Sequence, residues 1–447
     1  MSEHNTTKVE RKWFDSAHAS LCLLGTHLRQ IGFFTPLEQR VHLQQKVLKY
    51  TPVQKLEMLF VGLLAGMKAI SHTDTIVRVD PALTTAFGLP GCAEQSVLAD
   101  TLDAATEADV VAVQEAVADI FGRYGQAQHQ DLLQDFLVLD VDLSPLPASK
   151  QAEGSERGYM GRSRSKTGRK LVRVQVATTQ EISWETVISG RVVESLPLLQ
   201  EAMQAAEHRL KLAGDDAAAQ AKRARIERRL DSSWGSEGVI TWLLERGYQV
   251  TGKFKSTQRV SKLVREIRDW QPTSSPGREV APVPTPVPLV RPLHQYAVRT
   301  PSKEHASGYY HAVVFTSRTD LSMTAVVEHY DGRAGMEAEL KGDKHGLALG
   351  VIRKRRLAAQ KLLNLLLQLA HNVLIWARGW LTSQAPRLHD YGVVRLIQQV
   401  WAIPGRIKLS GTEIRRVRLR REHPRARDVC TGLRLLLAHR PISIGMS

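Results

Sequence analysis

Asp140 and Asp142 stand two apart in the apolar run FLVLDVDLS, and Asp231 closes the run RIERRLDSS. Read as a strand, the first run puts both aspartates on one face. The second run carries its acid to a strand end, just ahead of a helical segment. A further acid, Glu337, sits in YDGRAGMEAELKGDKHG. At roughly 100° per residue, Tyr330, Arg333, Glu337 and Lys344 fall within about 60° of one line along a helix. An amphipathic helix would place apolar residues on such a stripe, and here it is polar. A strand acid, a strand-end acid and a helix acid can converge beside a sheet edge, where carboxylates repel one another unless cations neutralise them. Hard oxygen donors of this kind suit Mg2+ or Mn2+. Two such ions activate a water or a 3′-hydroxyl and stabilise the leaving oxygen in phosphodiester displacement.

Taken singly, each position has an ordinary reading. Asp231 ahead of SSWGSEG is also an N-cap, and Glu337 beside Glu339 and Lys341 is also a solvated helix face. Lys344 is also a partner for the dipole of a helix that Gly346 ends. The joint pattern has to decide, and it depends on the elements that carry it.

Residues 1–135 read as a helical N-terminal region, with LEQRVHLQQKVLKY, VQKLEMLFVGLLAGMKAI and EADVVAVQEAVADIFGRY all at the 3.6-residue period. From 136 the texture changes. FLVLDVDLS, RKLVRVQVATT and WETVISGRVV read as strands, followed by the helix LPLLQEAMQAAEHRLKL and the strand ARIERRLDSS. SEGVITWLLERGY then reads as a helix and YQVTGKF as a strand. Strands first and alternation later predict an α/β domain with a mixed sheet over 136–254. Residues 255–325 contain APVPTPVPLVRP and the strand-like HQYAVRTP and GYYHAVVFTSR, and read as a β-rich insertion. Residues 326–385 return to helix, first the stripe and then a long apolar helix over about 351–381. Residues 386–447 form a basic C-terminal region, in which RIKLSGTEIRRVRLRREHPRAR holds nine basic and two acidic residues.

The 447 residues carry a formal net charge of +16, from 61 Lys and Arg against 45 Asp and Glu. Residues 1–135 hold 11 basic and 16 acidic side chains, so the excess positive charge lies in the later two-thirds of the chain. That distribution points to a polyanionic partner met by the later part. Three widely separated cysteines form neither a disulfide framework nor a zinc knuckle, which fits a reducing cytoplasm. MSEHNTTKVERKWFD lacks the apolar run of a signal peptide. LFVGLLAGM is too short to span a bilayer, and LLNLLLQLAHNVLIW is interrupted by Asn364, Gln368, His371 and Asn372, so no membrane span is expected. RGYMGRSRSKTGRK sets Arg162, Arg164 and Lys166 among glycines in an expected hairpin that could track a nucleic-acid backbone.

The spacing Y-x-x-R-x-x-x-E-x-x-x-x-x-x-K at Tyr330, Arg333, Glu337 and Lys344 resembles the signature of DDE transposases of bacterial insertion sequences. LVLDVDLSPL resembles the segment of that family that carries its first acid, and RLDSSWGSEGVITWLLERGY the segment of its second. GDKHGLALGVIRKRRLAAQKLLNLLLQLAHNVLIWAR resembles its closing helices. The resemblance covers most of residues 60–385. It implies a ribonuclease-H-like catalytic domain with Asp142, Asp231 and Glu337 as catalytic metal ligands for Mg2+ or Mn2+, as two ions. It gives Tyr330, Arg333 and Lys344 contacts with the DNA backbone, and the β-rich insertion a part in holding DNA ends. Relatives often have Thr where Ser144 stands, and Asp140 remains the alternative to Asp142 as first acid. The implied activity is cleavage at the ends of a mobile element and strand transfer into target DNA, by a homodimer on double-stranded DNA in the bacterial cytoplasm. The alternatives are a nuclease of the same fold that cuts without joining, and a DNA-binding remnant without activity.

Overall fold

The computed structural model describes residues 11–45, 49–132, 136–158, 160, 166–191, 195–305 and 307–447. The chain divides into two compact units. One comprises residues 1–125, 151–153 and 339–447; the other comprises residues 126–150 and 154–338. In chain order the strands are β1 Arg11–Ser16, β2 Leu137–Pro147, β3 Glu156–Arg157, β4 Thr167–Val176, β5 Ile182–Ser189, β6 Ile226–Leu230 and β7 Gln249–Lys253. They continue with β8 Gln271–Pro272, β9 Glu279–Pro282, β10 His294–Pro301, β11 Tyr309–Thr316, β12 Gly405–Ser410, β13 Glu413–Leu419 and β14 Ser443–Met446.

The second unit is built on a mixed ten-stranded sheet. β5, β4 and β2 run antiparallel, and β2, β6 and β7 run parallel. β7 then pairs antiparallel with β11, and β10, β9 and β8 follow outward. The short β3 shares the outer edge of β4 with β5. The expected mixed α/β architecture is therefore what the chain adopts. β2 and β4 are buried along most of their length, and β4 buries Arg169, Lys170 and Arg173 along with its apolar residues. Helix Ser195–Arg209 packs on β4 and β5, and helix Glu237–Glu245 on β7. The strands of residues 255–325 do not stand apart, because β11 joins β7 and continues the same sheet. Helix Met323–Asp331 closes over them on a cluster of Val280, Val298, Val314, Val326, Val327 and Tyr330.

The first unit centres on helix Leu357–Thr382, buried along nearly its whole length, with helices Pro52–Leu64, Gln95–Ala104, Glu107–Tyr124 and Ala426–Leu436 packed on it. Asn364, Gln368, His371 and Asn372, which interrupt its apolar run, are all buried, and His371 Nδ1 lies 2.8 Å from an Asp343 carboxylate oxygen. The helix starts six residues later than its periodicity predicts. Lys354, in the turn before it, is buried and pairs with Asp103 at 2.5 Å.

The N-terminal region is not all helical. RKWFDS forms β1, the edge of a four-stranded sheet in the order β1-β12-β13-β14. Arg11 pairs with Ser410, so the partner lies at the far end of the chain and no local signal marks the strand. Ile407, Leu409, Ile414, Val417 and Leu419 are buried on one face of this sheet. Helices Ala19–Gln30, Pro81–Ala86 and Ala426–Leu436 pack against it. No described helix is long and apolar enough to cross a membrane.

Candidate active site

The parallel pairing of β2 and β6 sets the site. Asp140 lies opposite Arg229, and Val141 lies opposite Leu230. The next residue on each strand is Asp142 and Asp231, so the two acids stand side by side where the strands part. Carboxyl ends of parallel strands are where an α/β sheet opens a crevice. Asp231 also caps the short turn that follows, accepting from the Ser233 amide at 2.8 Å and the Ser233 hydroxyl at 3.2 Å. The cap and the site are thus one residue with two lone-pair directions. Burial raises the Asp231 pKa; Arg333 lowers it, and Asp142 raises it further. That mutual influence is the mark of two carboxylates sharing one space.

Asp140 and Asp142 share a strand face yet meet different partners. Asp140 is held by Arg229 through two bonds of 2.7 Å, and Arg229 donates a third to the His329 carbonyl at 2.8 Å. This carboxylate is fully engaged in tying β2 to β6 and to the end of helix Met323–Asp331. Asp142 accepts from the Ser144 hydroxyl at 2.5 Å and from Arg333 Nη2 at 2.5 Å.

The polar stripe does not run along one helix. Helix Met323–Asp331 stops at Gly332, and helix Ala334–Gly346 begins two residues later. Glycine suits the break: a Cβ at position 332 would lie 2.7 Å from Arg229 Nη1. Tyr330 therefore ends the first helix with its ring buried in the valine cluster, 6% exposed, and not turned outward to meet sugar or base. Lys253 Nζ sits 4.6 Å over that ring. Burial raises the tyrosine pKa well above its ordinary value; Arg333 opposes the rise, and the carboxylates nearby add to it.

Arg333, in the break, is the hub. Its Nη2 binds Asp142 and the Val141 carbonyl, and its Nη1 lies 3.6 Å from Glu337, four residues on. Burial opposes its charge, but Asp142 and Asp231 outweigh that and raise its pKa. Among the described residues its buried Nε has no hydrogen-bond partner. Glu337 turns its carboxylate outward, with 70% of the side chain exposed. Lys344, later on the same helix, belongs to the first unit and is half-buried. Lys166 is exposed ahead of β4, whereas Arg162 and Arg164 lie outside the described residues.

Two basic residues near the acids have roles that the sequence did not mark. Lys170, assigned by its sequence to a basic hairpin, is buried on β4. Burial lowers its pKa, partly offset by Asp142 and Asp231. Lys253 ends β7, and Gly252 beside it pairs with Leu230, which brings Lys253 alongside Asp231. Burial lowers its pKa as well, followed by the repulsion of Arg278. Only the strand register, which a linear sequence does not state, could have identified Lys253.

Among the described residues no group of three or more His, Cys, Asp or Glu side chains is placed to hold a metal ion. Two of the three expected ligands come together, and the third reaches the same guanidinium from its other arm. The donor chemistry of the aspartate pair fits a hard divalent cation: carboxylate oxygens at neighbouring strand ends, one steadied by a serine, with repulsion between them that a cation would relieve. The basic shell of Arg333, Lys170 and Lys253 fits an anionic ligand such as a phosphodiester.

The sequence matches no protein-family model and no curated protein. Among solved structures, the chain is similar to the piggyBac transposase in a cryo-EM synaptic complex with hairpin DNA. The two share 13% identity over 87% of this chain and 81% of that one, at a TM-score of 0.45. At that level the likeness carries no argument about what this chain is.

Proposed function

We propose that this protein is a DDE transposase of an insertion sequence, cutting double-stranded DNA at the element's ends and joining the freed end to target DNA. The observation that carries the reading is the β2–β6 register that sets Asp142 beside Asp231, with Arg333 bridging towards Glu337. Asp142, Asp231 and Glu337 would hold Mg2+ or Mn2+, which when bound supplies Lewis-acid activation of the attacking oxygen and stabilisation of the leaving one.

The remaining work falls to this chain's own side chains. Ser144 donates to Asp142 and fixes that carboxylate's orientation. Arg333 holds Asp142 and the Val141 carbonyl and sets a positive charge beside the acids, which would draw a phosphate towards them. Lys253 offers a second positive charge at the end of β7. Asp140 keeps β2, β6 and the Gly332 break in register through Arg229, and takes no part in ligation. Work on two ends implies a homodimer on DNA. Tyr330 supports the break from inside the core, and Lys344 and Lys166 are assigned to the DNA backbone.

The test is excision from a plasmid carrying the gene's own flanking DNA, with purified protein and Mg2+. Cutting at both ends is expected, with loss in Asp231→Ala, in Glu337→Ala and on adding EDTA. Cutting without joined product favours a nuclease, and binding of the ends without cutting favours an inactive remnant. A folded protein that neither binds nor cuts refutes the reading.

A further inference from the structure

The outer face of the β1-β12-β13-β14 sheet carries charge that folding alone does not account for. On this face Arg406 lies opposite Arg418, and Lys408 opposite Arg416. Like charges directly opposite one another on neighbouring strands destabilise a sheet, and here two such pairs are adjacent. Arg415 is the extra residue of a bulge beside them, because the register slips after Lys408. The edge strand contributes Trp13 opposite Lys408 and Asp15 opposite Arg406. Trp13 is half-buried at the centre, with Arg406, Lys408 and Arg418 at 5.4, 5.8 and 5.6 Å from its ring. Asp15 reaches Arg406 at 3.6 Å. Among the described residues Lys408, Arg416 and Arg418 have no carboxylate within ion-pair distance.

We propose that this face is a docking surface for the phosphate backbone of duplex DNA, independent of sequence. Charge complementarity selects the occupant: five cations, Arg406, Lys408, Arg415, Arg416 and Arg418, against Asp15 and the Glu413 that pairs with Arg415, on an open sheet, match the regular anionic rail of a duplex. Trp13 acts as a spacer. Its ring face attracts all three cations and keeps them gathered around one point despite their mutual repulsion. Phosphates then relieve the cross-strand repulsion, so the strain built into the empty sheet returns as affinity. The surface uses none of the residues assigned to cutting, and its existence does not depend on whether the chain cuts DNA.

The experiment measures binding of a labelled duplex of random sequence by fluorescence anisotropy, in EDTA, over a series of salt concentrations. Each phosphate contact contributes about 0.9 to the slope of log affinity against log salt. The triple variant Arg406→Ala/Lys408→Ala/Arg418→Ala should lose about 2 to 3 from that slope and bind roughly tenfold or more weakly. Asp15→Asn, which removes the acid paired with Arg406 and leaves every cation, should bind more tightly than wild type. If the triple variant does not fold, Asp15→Asn and the charge-keeping Arg406→Lys/Arg418→Lys, expected to retain the slope, decide the matter. A folded triple variant with unchanged affinity and slope overturns the proposal. So does an unchanged or weaker Asp15→Asn, or a wild-type protein that prefers a single strand of equal length. Because EDTA is present throughout, failure of the cutting assay leaves this result untouched.

Discussion

At the scale of single residues, the instructive contrast is between two aspartates two positions apart. Asp140 and Asp142 share a strand, a face and an apolar setting, and their neighbours alone give them different work. Burial pushes the Asp140 pKa up, and the bidentate Arg229 pulls it back. Removing one partner of such a pair leaves a buried, uncompensated charge. Asp140→Asn should therefore cost about 3–5 kcal/mol, read as a lower midpoint in denaturant. Replacing both Asp140 and Arg229 by apolar residues should recover a good part of that loss. If Asp140→Asn is as stable as wild type, the pair is not the tie between β2 and β6 described above. The sequence narrowed the first acid to these two positions. Nothing in that run announces Arg229, on another strand, whose pairing with Asp140 supports proposing Asp142 as the ligand.

At the scale of elements, the strands and helices were legible wherever periodicity was strong and local. β6, β7 and helix Glu237–Glu245 fall within the runs that predict them; β2, β4 and helix Ser195–Arg209 overlap theirs and extend one to three residues beyond. The misread elements have a common cause in contacts distant along the chain. β1 exists because β12 is there to pair with it. The stripe from Tyr330 to Lys344 reads as one helix because nothing in its own residues announces the break at Gly332, beside which the Arg229 guanidinium packs closely. Gly332→Ala tests that account. The added methyl would meet Arg229 Nη1 at 2.7 Å and must displace either the guanidinium or the second helix. A loss of about 1–3 kcal/mol is expected from such overpacking. In an ordinary helix interior the same change would stabilise, so the sign of the effect distinguishes the two cases in a thermal melt.

At the scale of the whole molecule, stability depends on acids placed where they are costly as well as on those that are used. Glu57, on helix Pro52–Leu64, is buried, and burial together with the nearby Glu38 raises its pKa to about 8. The folded state thus keeps a proton that the unfolded chain releases in the ordinary glutamate range. Its stabilising contribution is complete below that range and is lost progressively as pH rises to about 8. Denaturant midpoints of the first unit should fall over that window. Glu57→Gln, neutral throughout, should flatten the decline and gain a few kcal/mol at the alkaline end, an order-of-magnitude figure. A Glu57→Gln protein with the wild-type pH profile would assign the decline to another group.

The pairing of β1 with β12 also bears on how the protein is made. Residues 11–16 leave the ribosome long before their hydrogen-bonding partners at 405–410. The helices that line this sheet come largely from the opening third of the sequence, and they must persist with an apolar face uncovered while the entire second unit is translated. Contacts so distant along a chain form slowly, and exposed faces of that sort are where nascent proteins aggregate or recruit chaperones. Full assembly of the basic sheet therefore waits for β12, β13 and β14, and a newborn copy gains that charged surface only after they have emerged.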